Sequence, residues 1–142
     1  MDKKITVRWA GRGSFIALDE EKHALLMDIP EKSGGDNAAF KPVDLLLAGL
    51  GGCTAVDVFN ILKKQRQDVR EMRVEVIGTQ KDSPPKNFTE INIKFYITGK
   101  DIEKQKVERA IDLSHNKYCS VGQTIEQSSK IINTFEIEEV ED

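Results

Sequence analysis

The residues best equipped for chemistry in this 142-residue chain are its two cysteines, Cys53 and Cys119. A thiolate is a nucleophile, a reductant and a soft metal ligand, so two thiols can form a redox pair, a hydrolytic centre or part of a metal site. Free cysteine is also among the most buried residue types, which leaves inert packing open for both. Zn²⁺ needs three or four protein ligands. Beside the cysteines the only soft donors are His23 and His115; His115 and Cys119 are four apart, but no cysteines are closely spaced, so no metal is expected. A cysteine hydrolase needs an imidazole to activate its thiol, whereas His115 falls where a helix ends, a position that suits its partial charge. A redox pair needs a fold that joins thiols 66 residues apart. Asp57, one turn after Cys53, disfavours a neighbouring thiolate, so a working Cys53 needs a compensating cation.

Cys53 sits in "PVDLLLAGLGGCTAVDVFNILKK", residues 42–64, which reads as one long helix with Gly49, Gly51 and Gly52 in its interior. Each glycine costs a helix roughly 1 kcal/mol relative to alanine, about 3 kcal/mol for the run, so something must need the missing side chains. Either the helix packs closely against a neighbouring element, or space is cleared beside Cys53.

The elements that must position these residues follow from periodicity. "KITVRWAG" alternates, with Ile5, Val7 and Trp9 on one face; "SFIALDE" and "ALLMDI" follow at turn-sized intervals, so the first thirty residues read as a three-stranded antiparallel meander. Residues 30–41, "PEKSGGDNAAFK", lack periodicity and read as a mobile loop. Pro42 and Asp44 suit the first turn of the long helix, which runs to about Gln67 and closes on the basic "KKQR". Met72, Val74 and Val76, then Ile91, Ile93, Phe95 and Ile97, mark two strands joined through "KDSPPKN". Asp101 is the expected N-cap of a second helix that ends near Asn116, with Val107, Ala110, Ile111 and Ser114 on one face. "KYCSVGQTIEQS" is a short irregular or helical piece carrying Cys119, and "KIINTFEIEEV" is a closing strand with Phe135 and Ile137 inward. The order βββ, α, ββ, α, β defines an α+β class with helices on largely antiparallel sheet, in a single domain spanning 1–142.

The formal charge of −3, from 21 basic and 24 acidic residues, offers no basic field for nucleic acid and no polybasic run for a membrane. The N-terminus lacks an apolar core of signal-peptide length, and the apolar stretch Val43 to Ala55 is short for a bilayer span. Two cysteines give no secreted-type disulfide framework, so a reducing, cytoplasmic setting is expected.

"KPVDLLLAGLGGCTAVDVFNILKKQ" together with "SHNKYCSV" resembles the OsmC/Ohr family, osmotically inducible protein C and the organic hydroperoxide resistance proteins, in its OsmC-like branch. The resemblance covers nearly the whole chain, including the Pro-x-Asp-Leu helix start and the Gly-Cys-Thr core. It implies an intertwined α+β homodimer with a long central helix, sites at the subunit interface and no cofactor. It further implies thiol-dependent reduction of organic hydroperoxides, with Cys53 as peroxidatic and Cys119 as resolving cysteine. An external dithiol, such as a lipoylated protein, would serve as reductant. A cation from the meander is expected at Arg12, with Arg8 as second choice; Phe40, Asp44, Leu46 and Leu50 would line the substrate side. Val43 stands where the best-characterised family peroxidases carry an arginine-pairing glutamate, with Asp44 one residue on. That departure keeps a second reading open, a module binding a small apolar or thiol-containing molecule in the same pocket.

The helix face formed by Leu45, Leu46, Leu47, Leu50, Val56 and Val58 is too wide for one modest sheet to cover, so a second copy should bury the remainder. Analytical ultracentrifugation at micromolar concentration is expected to give a dimer; a stable monomer would count against an interface site.

Overall fold

The computed structural model describes residues 1–141. The chain, expected as a single domain, divides into two compact units, Met1–Leu46 and Leu47–Asp142. In the first, β1 (Thr6–Gly11), β2 (Ser14–Leu18) and β3 (Ala24–Met27) form the expected antiparallel meander in that order. The alternation is that of a strand, yet its apolar face is not buried: Val7 is 54% and Trp9 68% exposed, with Ile5, Phe15, Leu25 and Leu26 also open. Residues 30–41 are not the unstructured connection their composition suggests. The buried Asp28 carboxylate accepts backbone N–H bonds from Ile29 (2.8 Å), Asp36 (3.2 Å) and Ala38 (3.0 Å), a three-point anchor that fixes the segment's path. These bonds, chiefly that from Ala38, hold the Asp28 carboxyl below the usual carboxylate range.

Helix α1 (Pro42–Lys64) starts where Pro42 and Asp44 suggest and stops three residues short of Gln67, because Arg66 adopts a left-handed conformation (φ 59°) that turns the chain into β4. At 23 residues α1 is long and apolar enough, by length and composition, to cross a membrane, a reading that counting only to Ala55 misses. The core helix of a folded domain meets the same criterion, and here Leu50, Val58 and Leu62 are buried in one cluster with Ile91, Ile93, Phe95 and Ile97.

In the second unit β4 (Asp68–Gln80) and β5 (Phe88–Lys100) form a long antiparallel hairpin. After α2 (Lys104–Leu113) and α3 (Ser120–Ile125), β6 (Lys130–Glu139) joins β5. This pairing is parallel, whereas β1–β2, β2–β3 and β4–β5 are antiparallel, so the largely antiparallel arrangement expected includes a parallel edge strand. The physical cause is the connection: two helices between β5 and β6 form a crossover that returns the chain to the end at which β5 began. Phe95, fully buried, lies opposite Val74 on one side and Phe135 on the other. Phe135 and Ile137 pack on the core as expected. Asp101 is not the N-cap of α2. Its left-handed backbone (φ 51°) belongs to the turn leaving β5, with its N–H donating to the Glu139 carboxylate at 2.9 Å. Glu103 holds the cap position instead, without a side-chain capping bond.

Close approach explains two glycines. A Cβ on Gly51 would meet Val76 Cγ2 at 2.8 Å, so the bare backbone is what lets α1 lie against β4. A Cβ on Gly99 would overlap the Asp68 carbonyl and the Ile102 side chain. Gly99→Ala is therefore expected to destabilise the fold by about 1–3 kcal/mol in denaturant titration, since overpacking against backbone finds little relief.

Candidate functional site

The site is assembled from two segments of the second unit. Cys53 and Asp57 lie one turn apart on α1 and so share a face. Cys119 comes from the junction of α2 and α3. There the chain leaves α2 through a single wide helical turn, Ser114–Tyr118, in which the Cys119 N–H bonds the Ser114 carbonyl at 2.8 Å. Cys119 is then the N-cap of α3, its Sγ accepting the Gly122 N–H at 3.2 Å. The two sulfurs and an Asp57 carboxylate oxygen all lie within 4.8 Å of one another, and both thiols are free.

Ser114, fully buried, joins the two segments. Its Oγ donates to Asp57 Oδ2 at 2.9 Å and stands 3.1 Å from Thr54 Oγ1. A hydroxyl carries one proton, so with Ser114 donating to Asp57, Thr54 donates to Ser114. Cys53 is half-buried, while Cys119 is 2% exposed. Burial pushes the Cys119 thiol up to about 11, the Gly122 N–H partly opposing this while the neighbouring Cys53 and Asp57 add to it.

Sequence reasoning named both cysteines but read Ser114 only as part of an apolar helix face and weighed Asp57 only as a burden on Cys53. The i, i+4 spacing of Cys53 and Asp57 was the available signal for a shared site; nothing local marks Ser114. His115 does not join the thiols. Its Nε2 meets Glu126 Oε2 at 3.1 Å and its Nδ1 lies 3.3 Å from Asn133 Nδ2. His23 pairs with Asp19 at 2.7 Å. Among the described residues, those grouped so that they could hold a metal are Cys53, Asp57 and Cys119, a carboxylate standing where a count of cysteine and histidine found too few ligands.

Of the remaining expected residues, Leu50 is fully buried and lies with Cys119 around Gly122, so it forms a wall behind the sulfur rather than an open surface. Arg12 belongs to the first unit, at the tip of the β1–β2 hairpin, with left-handed backbone (φ 48°). Its Nε meets Asp36 Oδ1 at 3.0 Å and its guanidinium donates to the Gly35 carbonyl at 3.1 Å. It stands beside an open, largely apolar cleft of about 630 Å³ lined also by Val7, Phe15, Met27 and Ile29. Arg8 is exposed on β1, Phe40 and Leu46 are exposed, and Asp44 is half-buried in the first turn of α1.

Two small sheets and a long helix, with a thiol pair beside the helix midpoint, define an α+β fold. The family model of the OsmC-like proteins matches residues 34–134, and the chain belongs to that family. It is 37% identical to protein YhfA of Escherichia coli (strain K12) over 131 residues, 92% of this chain and 95% of the relative. Among solved structures, a protein from Aquifex aeolicus VF5 superposes with TM-score 0.87 at 27% identity, covering 99% of each chain. An organic hydroperoxide resistance protein OsmC from Legionella pneumophila shares the fold, with TM-score 0.70 at 17% identity over 95% of this chain and 96% of its own.

The thiols should differ sharply in reactivity. At pH 8 a thiol titrating near 11 is only about one part in a thousand thiolate. Iodoacetamide on the reduced native protein is thus expected to label Cys53 and spare Cys119 until the pH nears 11 or the chain unfolds, as mass mapping would show. The raised value also links to stability. Folded Cys119 holds its proton more tightly than the unfolded thiol (about 9), so its contribution is intact below pH 9 and lost between about 9 and 11. Cys119→Ala should remove that part of the alkaline decline in denaturation midpoints.

Proposed function

We propose that this chain reduces organic hydroperoxides, Cys53 acting as the peroxidatic and Cys119 as the resolving thiol, in a cytoplasmic homodimer recharged by an external dithiol. The observation that carries the reading is the thiol pair: two free cysteines, 66 residues apart in sequence, whose sulfurs lie within 4.8 Å. Their unequal burial supports the assignment of roles, since a bulky peroxide reaches a half-buried sulfur before one that is 2% exposed.

In the first step the Cys53 thiolate attacks the O–O bond; sulfur gains oxygen as a sulfenic acid and the alkoxide leaves as an alcohol with a proton. A cation is needed both to favour the thiolate and to meet the developing alkoxide, the role assigned to Arg12. In the second step Cys119 sulfur attacks Cys53 sulfur, the S–O bond breaks and water leaves. The Cys119 proton must travel with that hydroxide, and Asp57, within 4.8 Å of both sulfurs, can relay it. An external dithiol then reduces the disulfide. Phe40, Asp44 and Leu46 would form the approach for an alkyl tail, with the buried Leu50 as backing rather than contact surface, and the open apolar faces of the meander and of α1 support burial against a second copy.

A second reading, a module that binds a small apolar or thiol-containing molecule, draws on one observation: the charged group beside the thiols within their own unit is a carboxylate, the wrong sign for a thiolate. Peroxide consumption with cumene hydroperoxide under dithiol turnover separates the two. Peroxidase chemistry requires that Cys53→Ser lose at least a hundredfold, that Cys119→Ser oxidise once and then accumulate over-oxidised Cys53, and that Arg12→Ala slow oxidation about tenfold or more. If only Arg8→Ala slows it, the cation assignment moves to Arg8; thiols that stay free under excess peroxide leave the binding module.

A further inference from the structure

The donor set around the thiols has the composition of a metal site as well as of a redox pair. Cys53 Sγ, Cys119 Sγ and an Asp57 oxygen are mutually within 4.8 Å. Around a tetrahedral Zn²⁺, with bonds of about 2.3 Å to sulfur and 2.0–2.2 Å to oxygen, donors sit about 3.7 Å apart, so these need close by only about 1 Å. Two of the ligands ride on one rigid helix at i and i+4, and the third caps another helix. The carboxylate is already oriented, with Ser114 donating to Oδ2 at 2.9 Å, and the Gly122 N–H bonds the Cys119 sulfur. Hydrogen bonds of this kind fix metal ligands from behind. Charge points the same way: two thiolates and a carboxylate would repel one another unless a cation lies among them.

We propose that the reduced Cys53–Cys119 pair and Asp57 together bind a thiophilic divalent cation, Zn²⁺ by class, through two sulfurs and one carboxylate oxygen, with a further position open to water. Two thiols and the metal ion give two metal–sulfur bonds and release two protons; hard ions such as Mg²⁺ are rejected by the sulfur donors. Binding stands on the geometry alone. Its regulatory consequence rests on the peroxidase reading as well. A metal-bound pair and an organic hydroperoxide, with two protons, go to disulfide, alcohol, water and free metal ion, so each thiol pair is either metal-bound or oxidised.

The test is titration of the reduced full-length protein with Cd²⁺, followed by its ultraviolet thiolate-to-metal absorption, with Zn²⁺ as competitor. One ion per chain at micromolar concentration is expected, displaced by Zn²⁺ and not by Mg²⁺. Asp57→Asn should weaken binding at least tenfold, and Cys53→Ser or Cys119→Ser should remove most of the band. In the wild-type chain, where no variant can misfold, Zn²⁺ should slow alkylation of Cys53 at least tenfold while Mg²⁺ leaves it unchanged. No absorption band, one ion per two chains, or unaltered affinity in a folded Asp57→Asn protein would overturn the three-ligand site. Peroxide consumption measured on the same preparation separates the ideas: an active peroxidase that binds no Cd²⁺ sinks the metal site, whereas Cd²⁺ binding without peroxidase activity sinks the peroxidase and its regulation and leaves the site standing.

Discussion

The site depends on the buried hydroxyl of Ser114. It donates to Asp57 and accepts from Thr54, both on α1, while its carbonyl takes the N–H of Cys119. One residue therefore ties the helix carrying the first thiol to the turn carrying the second. Leaving a buried polar group of this kind unpaired costs about 1–3 kcal/mol, so the two segments cannot slide independently without that loss. The wide turn matters as much as the hydroxyl. Single turns of this type recur at functional sites because the extra residue rotates the chain beyond it. Here it stops α2 and restarts the chain as α3 with Cys119 at the cap.

That arrangement sets an electrostatic problem with a small number of solutions. A carboxylate and two sulfurs share a partly desolvated space, and the deeper sulfur keeps its proton until about pH 11. Negative charge at the pair is favoured by a positive group close to it, such as an arginine or a metal ion. A peroxidase site and a metal site are alternative answers to the same constraint. Within its own unit, Arg12 already has partners in Asp36 and the Gly35 carbonyl. The service proposed for it would trade away an exposed ion pair of modest worth, a small barrier rather than a prohibitive one.

Much of the fold was legible because burial writes a period into the sequence. Ile91, Ile93, Phe95 and Ile97 alternate and are all buried; Val107, Ala110 and Ile111 recur at helical spacing and are buried too. Strand direction was not legible, since the alternation of β6 is the same whether it runs with or against β5. Only the two-helix crossover decides between them. The exposure of Val7 and Trp9 was equally hidden, because a pattern names the face that seeks cover and not what covers it. At the site, the cysteines stood out by scarcity. Ser114 did not, since its role arises from a partner 57 residues away in sequence, and the hydroxyl that orients Asp57 was hidden with it.

The three glycines of α1 divide between two demands. Gly51 is accounted for inside the chain by its approach to Val76. Gly49 and Gly52 face open space, where a methyl group would meet nothing within 4 Å. Roughly 2 kcal/mol of helix propensity is thus given up at positions where no neighbour in this chain requires it. Both glycines continue into Val56 and Phe59, exposed at 59% and 45%, in an i, i+3, i+7, i+10 stripe beside Cys53. Such a stripe suits the packing of the proposed second copy, and glycine at its start would let the two backbones approach most closely near Cys53. The helix is thus shaped for two surfaces, the sheet behind it and the second copy proposed in front. The half-buried state of Cys53 in the isolated chain is the state that such a contact would complete.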